Sequence, residues 1–180
     1  MSHGLLLLAV AAGVAGAAPR VSLSANLGAQ AVLSLAYRRL HIPINVALDA
    51  GPKASVIIGL HPMVPVCSSA YRGGLGASCR YRRLLGQTAS WRPWVEAGLW
   101  AHYQENLLEG KERKNYIDKL ADPMAGLNGC AGYRFQRSGS WFMFQIFGGI
   151  SVPLARIVDE EVRPFGLPFP WAGLELGVTL

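Results

Sequence analysis

Residues 95–104 read Val95-Glu-Ala-Gly-Leu-Trp-Ala-His-Tyr-Gln104 and alternate strictly between two kinds of side chain. The first row is apolar and contains Val95, Ala97, Leu99, Ala101 and Tyr103. The second row contains Glu96, Gly98, Trp100, His102 and Gln104. Because a β-strand points successive side chains to opposite faces, this segment is predicted to be a strand that separates two different environments.

The same alternation recurs along the whole chain and predicts eight strands. The segment 21–38 alternates without a slip and is predicted to be one long strand. The other strands are predicted near 42–49, 56–60, 74–82, 127–136, 142–152 and 171–180. Eight antiparallel strands are enough to close a barrel, so the predicted fold is all-β, a closed antiparallel up-and-down barrel of about eight strands.

The lengths of the connections support a membrane-spanning barrel. Short turns are predicted near 51–53, 84–92 and 137–140, and longer connections near 62–73, 105–124 and 153–170. A membrane barrel has short turns on one side and longer loops on the other. Residues 39–41 are predicted to be a short connection on the long-loop side. The charged segment 105–124 is predicted to be a solvated loop, with a short surface helix as the alternative, and the proline-rich segment 153–170 is predicted to fold back across the barrel mouth.

The N-terminus carries an apolar run from Leu5 to Ala18. A helix needs about 20 residues to cross a bilayer, and this run is shorter. It ends in Ala15-Gly16-Ala17, a pattern of small residues that suits signal peptidase. We therefore predict a signal peptide over 1–17 and a barrel over 18–180. The alternative is a buried N-terminal helix.

The composition indicates which partners to expect. The net charge is +6, but the arginines are scattered through the strands rather than gathered in a basic stripe, so no nucleic acid is expected. In an exported protein the expected acidic partners are lipid phosphates. The three cysteines, Cys67, Cys79 and Cys130, lack metal-binding spacing. They could form one disulfide with one free thiol, or remain three buried thiols.

The last ten residues, Trp171-Ala-Gly-Leu-Glu-Leu-Gly-Val-Thr-Leu180, resemble the C-terminal signal by which the barrel assembly machinery recognises outer-membrane proteins. Those proteins usually end in Phe, and this chain ends in Leu180. The segments 27–39 and 132–135 also look like those of small, uncharacterised bacterial outer-membrane barrels. The resemblance implies a transmembrane barrel of the OmpX/OmpA type, located in the outer membrane and received by the assembly machinery through its C-terminal strand.

The second, polar rows of the strands are predicted to face the barrel interior. An eight-stranded barrel is filled by side chains, and a buried charge without a partner costs several kcal/mol. The inward charges are therefore expected to form a structural salt-bridge network, in which Arg80 lies opposite Glu96. Its predicted members are Asp49, Arg80, Arg82, Glu96, His102, Arg134 and Glu175.

The predicted function is a structural or surface-interaction role in the outer membrane, without catalysis, cofactor or metal, in a monomer. Arg38, Arg39 and Arg72 are predicted to contact lipopolysaccharide phosphates. A small-solute channel is one alternative, because the inward rows contain many glycines. A lipid-modifying envelope enzyme is a second, although no His-x-Ser pattern occurs. A soluble lipocalin-like carrier, with its apolar rows inside, is a third.

Overall fold

The computed structural model describes residues 20–27, 39–41, 43–65, 71–86, 90–106, 123–158, 161–164 and 168–180. Within these ranges the chain forms ten strands and no helix. They are β1 (Val21–Asn26), β2 (Arg39–His41), β3 (Ile44–Gly51), β4 (Ala54–Pro65), β5 (Tyr71–Leu84), β6 (Trp91–Asn106), β7 (Met124–Phe135), β8 (Phe142–Val158), β9 (Glu161–Pro164) and β10 (Phe169–Thr179). No helix in the described part of the chain is long and apolar enough to cross a membrane.

Eight of the strands form a closed ring, in which every strand is antiparallel to both of its neighbours. The ring runs β1, β3, β4, β5, β6, β7, β8 and β10, and β10 then pairs with β1. The closing pair joins Ser22 to Thr179 and Asn26 to Glu175. The predicted all-β, closed, antiparallel barrel of eight strands is therefore confirmed.

All three short turns lie at the same end of the ring, together with the two described chain ends. The amide of Ser140 donates to the carbonyl of Arg137 across the tightest turn, at 3.0 Å. Gly139 in that turn has φ +76°, a conformation that glycine adopts without steric cost. At the same end the amide of Leu180 donates to the carbonyl of Val21 at 2.8 Å. We call this the turn end of the barrel and the opposite end the loop end.

The structure corrects several predicted connections at the loop end. Arg39–His41, predicted to be a connection, is the strand β2 and pairs with β4. The segment 62–73 is shorter as a loop than predicted, because β4 continues to Pro65 and β5 begins at Tyr71. Of the predicted long strand 21–38 the structure describes β1, and residues 28–38 lie outside the described part, as do 107–122 of the charged segment.

The prediction that 153–170 folds across the barrel mouth is wrong. β8 continues through this segment to Val158, and β9 returns beside it, with Ala155 opposite Pro164 and Ile157 opposite Val162. The prolines do not prevent this. Pro153 lies at a register shift between β7 and β8, where a residue without an N–H group is tolerated. The β8–β9 hairpin therefore extends the wall of the barrel.

The two faces of the wall differ in polarity as the alternation predicts. Large apolar side chains point outward and stay exposed, including Leu99 at 60%. Other members of this outward set are Leu23, Ile58, Leu60, Leu75, Tyr103, Leu127, Ile146 and Ile150. Polar side chains point inward and are buried, together with Ile57, Met143 and Phe147. The apolar rows thus form the outside of the barrel.

Aromatic residues mark the turn end on the outer face. Tyr81, Tyr133 and Trp141 are all exposed there. Trp94 also lies near this end, beside the start of β6, but its side chain points inward and is 1% exposed. The parity of the strand decides this, because Trp94 shares a face with Glu96.

Candidate functional site: the lumen network

Two neighbouring strands bring the central charges of the lumen together. Arg82 on β5 lies directly opposite Glu96 on β6, and Arg80 lies opposite Gly98. The predicted register, with Arg80 opposite Glu96, is therefore wrong by two residues. Gly98 explains why Arg80 still reaches Glu96: a Cβ atom on Gly98 would lie 2.6 Å from Cγ of Arg80, so the arginine occupies that space.

Both arginines bind the same carboxylate. Nη1 of Arg80 donates to Oε1 of Glu96 at 2.9 Å. Nε of Arg82 donates to Oε2 of Glu96 at 2.8 Å, and Nη2 of Arg82 lies 2.7 Å from the same oxygen. All three side chains are almost completely buried. Glu96 is therefore held by charge-assisted hydrogen bonds on both of its oxygens, the strongest kind in proteins.

A second carboxylate, Glu175, completes the charge balance from the opposite wall. It accepts hydrogen bonds from Nδ2 of Asn45 at 2.7 Å, from Nε2 of Gln145 at 2.9 Å and from Oγ of Ser24 at 3.5 Å. Nη2 of Arg82 lies 3.7 Å from its Oε2. Glu175 is on β10, and its four partners come from four other strands: β1, β3, β5 and β8.

Asn45 and Gln145 join the two halves into one unit. Arg82 donates from Nη1 to Oε1 of Gln145 at 2.5 Å, and Arg80 donates from Nη2 to Oδ1 of Asn45. Each amide thus accepts from an arginine and donates to Glu175. We call this set the lumen network; it consists of Arg80, Arg82, Glu96, Glu175, Asn45 and Gln145. Two positive and two negative charges balance within it.

Aromatic side chains cover the network. The guanidinium carbon of Arg82 lies 4.1 Å from the ring centroid of Trp94, a cation–π contact. Trp94 packs against Phe147 at 6.0 Å, and Phe147 against Trp171 at 6.2 Å between ring centroids. Gly132 makes room for this layer, since a Cβ atom there would lie 2.8 Å from both Trp94 and Phe147.

The remaining predicted network residues lie on the inward rows but have other partners. Asp49 accepts a hydrogen bond from Oγ of Ser55 at 2.9 Å, near the turn end. Arg134 donates to Oε1 of Gln136 at 2.7 Å and to Oγ1 of Thr179 at 3.3 Å. The ring of His102 is stacked on Trp100, with centroids 5.4 Å apart. The charges predicted as one cluster therefore fall into separate groups.

Sequence reasoning missed the uncharged members of the network. Asn45 and Gln145 lie on the inward rows, so the alternation contained the signal, but the predicted network included only ionisable residues. It also missed a pair formed by Nε2 of His61 and Oγ of Ser78, 3.0 Å apart and buried. These two residues are on different strands and 17 positions apart, which no short motif detects.

The structure places two of the three cysteines, and it describes no side chain of the three arginines predicted to contact lipopolysaccharide. Cys79 is exposed on the outer face and Cys130 is buried inside, with Sγ 3.7 Å from Oε1 of Glu96. They lie on opposite faces, and both are free thiols. Cys67 and Arg38 lie outside the described residues, and so do the side chains of Arg39 and Arg72.

The outer wall carries a shallow apolar groove of about 510 Å³ toward the loop end. Its floor is a row of alanines paired across four strands, in the order Ala77, Ala101, Ala125 and Ala155. Larger side chains border this row, among them Leu75, Tyr103, Ile157 and Val162. The groove is therefore continuous with the apolar outer surface.

Comparison with known proteins bears on the fold. No family model matches the chain, and no curated protein matches it. Among solved structures, the chain is similar to the N-terminal β-barrel domain of Pseudomonas aeruginosa OprF, with a TM-score of 0.55 and 15% sequence identity. The match covers 89% of this chain and 97% of the OprF domain. At this identity the likeness establishes the fold: this chain shares the closed barrel architecture of that domain.

Proposed function

We propose that this protein is a bacterial outer-membrane barrel with a structural or surface-interaction role and a sealed lumen. The observation that carries the proposal is the polarity of the two walls. Leucine, isoleucine and tyrosine side chains cover the outside, while a neutral network of charges is buried inside. An apolar surface of this extent is unusual on a soluble monomer, and it is what the hydrocarbon core of a membrane requires.

The strand lengths support the same conclusion. A transmembrane strand needs about 9–11 residues, and β4 to β8 contain between 12 and 17. The surplus lies at the loop end, where the β8–β9 hairpin extends the wall. The soluble carrier is disfavoured, because a lipocalin-like barrel needs its apolar rows inside, where this barrel has polar residues.

Membrane fractionation combined with heat-modifiability on SDS gels tests the proposal. We expect the protein in the outer-membrane fraction, and we expect unheated samples to migrate differently from boiled ones because the closed barrel resists SDS. A soluble periplasmic protein without a mobility shift would contradict it.

A small-solute channel is the first competing function. The inward glycines suggested open space, but large side chains fill the space beside them. Arg80 fills the space beside Gly98, and Trp94 and Phe147 fill the space beside Gly132. We therefore expect no steady conductance when the purified protein is inserted into planar bilayers. A stable open level in the unmodified protein would show that the lumen conducts.

Hydrolysis is the second competing function, and the pair formed by Ser78 and His61 is the observation that favours it. We interpret the pair as a structural hydrogen bond, because both side chains are buried in the wall. A fluorophosphonate probe is expected not to label the folded protein. Labelling that disappears in Ser78→Ala would instead support a serine enzyme.

The proposed partners of the protein follow from its proposed location in the outer membrane. We propose that the barrel assembly machinery receives β10, the last strand, which then closes the ring against β1. Lipid acyl chains fill the outer alanine groove, and the ring functions as a monomer because each of its strands is paired on both sides. Chemical crosslinking in isolated membranes tests the monomer.

Lipopolysaccharide is the proposed surface partner, with Arg38, Arg39 and Arg72 contacting its phosphates. Replacing all three with Ala is expected to reduce the lipopolysaccharide that co-purifies with the folded barrel. Replacing Arg83, an exposed arginine near the turn end, is the matched control. Equal co-purification in both variants would contradict the assignment.

A further inference from the structure

Two arginines face each other inside the turn end of the barrel. Arg92 on β6 lies directly opposite Arg134 on β7. Both point inward, because Arg134 is buried and Arg92 shares the face of Trp94 and Glu96. Directly opposed residues of an antiparallel pair have Cβ atoms about 4.5–5.5 Å apart, and like charges there are destabilising.

The described protein groups only partly satisfy this pair. Arg134 donates from Nη2 to two neutral oxygens, those of Gln136 and Thr179. The Nε atoms of both Arg92 and Arg134 are buried without a hydrogen-bond partner among the described residues. Within the same part of the chain, the side chain of Arg92 forms no hydrogen bond or ion pair, and no carboxylate forms an ion pair with Arg134.

The inward charges around the pair do not balance. Four guanidinium groups face this half of the lumen, those of Arg80, Arg82, Arg92 and Arg134. Three described carboxylates oppose them, those of Asp49, Glu96 and Glu175. The lumen network is neutral by itself, so the excess positive charge lies at Arg92 and Arg134. An uncompensated charge in a buried position is costly, and an anion would remove that cost.

We infer that Arg92 and Arg134 form a binding site for a small oxyanion, a phosphate or carboxylate group, at the turn end of the lumen. Two guanidinium forks offer the paired donors that such groups accept. Arg92 is half-buried, and Arg134 lies beside the exposed turn 137–140, so the site opens toward the turn end. A free solute and a lipid headgroup offer the same chemistry.

Titration with inorganic phosphate tests the inference. The full protein is folded in a nonionic detergent, and phosphate replaces chloride at constant ionic strength while calorimetry measures the heat of binding. We expect saturable binding at one site. Arg92→Gln should weaken it by about tenfold or more, because a charge-assisted hydrogen bond is lost. Arg92→Lys keeps the charge but loses the planar guanidinium, so its affinity for phosphate should lie between those of the unmodified protein and Arg92→Gln.

The exposed Arg137 supplies the matched control, because it lies on the neighbouring turn and carries the same charge. Arg137→Gln should bind phosphate like the unmodified protein. Urea unfolding without phosphate gives a second test. Because opposed like charges are destabilising, Arg92→Gln should resist urea at least as well as the unmodified protein. Heat-modifiability verifies that each variant is folded.

Vesicles distinguish the two sources of the anion. If phosphatidylglycerol vesicles displace phosphate and phosphatidylcholine vesicles do not, the anion is a lipid headgroup; if neither displaces it, the anion is a free solute. Both results support the site. Unsaturable binding, or equal affinity in the unmodified protein and Arg92→Gln, would overturn it.

Discussion

Glutamate–arginine pairs occur in two very different parts of this barrel. In the lumen, Glu96 lies 2.7 Å from Arg82 and 2.9 Å from Arg80, with its side chain 1% exposed. On the β8–β9 hairpin, Glu161 lies 3.1 Å from Arg163, with the two side chains 71% and 48% exposed. The ionic groups are the same, but only the first pair is removed from water.

The difference lies in what each residue would do without its partner. On the hairpin, water solvates either charge, so exposed pairs of this kind contribute about 0–1 kcal/mol. In the lumen, the loss of one partner leaves a buried charge uncompensated. The lumen network therefore stabilises one closed arrangement of the wall, whereas the hairpin pair is a minor surface contact.

Removing a charge from the buried lumen network should have the largest effect on stability. Glu96→Gln leaves Arg80 and Arg82 without their shared countercharge and should reduce the free energy of unfolding by about 3–5 kcal/mol. Urea unfolding in lipid vesicles, followed by the gel shift, measures this. A loss below about 1 kcal/mol, the range of exposed pairs, would show that water reaches the network.

A new charge on the outer wall should have the next largest effect. Leu99→Arg places a guanidinium on the apolar face and should cost about 2–4 kcal/mol in vesicles if Leu99 lies near the bilayer midplane. Leu99→Ala is the control for the lost side chain. If the arginine and alanine variants have equal stability, Leu99 does not face lipid.

The packing around the network can be tested with two glycines on the same strand, β7. Gly132→Ala puts a methyl group against Trp94, Phe147 and the backbone oxygen of Ile146, and it should cost about 1–3 kcal/mol. Gly129 faces outward, and a Cβ atom added there would have no neighbour within 4 Å, so Gly129→Ala should be neutral or slightly stabilising. Equal effects would mean that both the aromatic layer and the neighbouring strand adapt freely.

Removing a charge from the exposed hairpin pair should have the smallest effect on stability. Glu161→Gln removes the hairpin countercharge and should change the free energy of unfolding by less than about 1 kcal/mol, because the pair is solvated. The same urea assay applies to this variant and to Glu96→Gln. A loss comparable to that of Glu96→Gln would mean that the hairpin is covered in the membrane.

The fold was predictable because its main signal has a period of two residues. Segments such as 95–104 and 127–136 show the strand and its two faces together, and the turn at 137–140 follows from their spacing. The lengths were underestimated, since β6 extends from Trp91 to Asn106. The loop end was less predictable. β9 is short and contains a proline, and strand pairing between residues such as Ile157 and Val162 is not visible in either segment alone.

The lumen was predictable in content but not in arrangement. By itself the sequence determined which side chains face inward, because parity along a strand needs no knowledge of its neighbours. Only the tertiary structure decided the partners. Closing the ring brings Glu175 of β10 next to Asn45 of β3 and Arg82 of β5, and the register of β5 and β6 places Arg82, rather than Arg80, opposite Glu96. Such contacts depend on register and on side-chain reach across the lumen, and both arise only when all eight strands are in place.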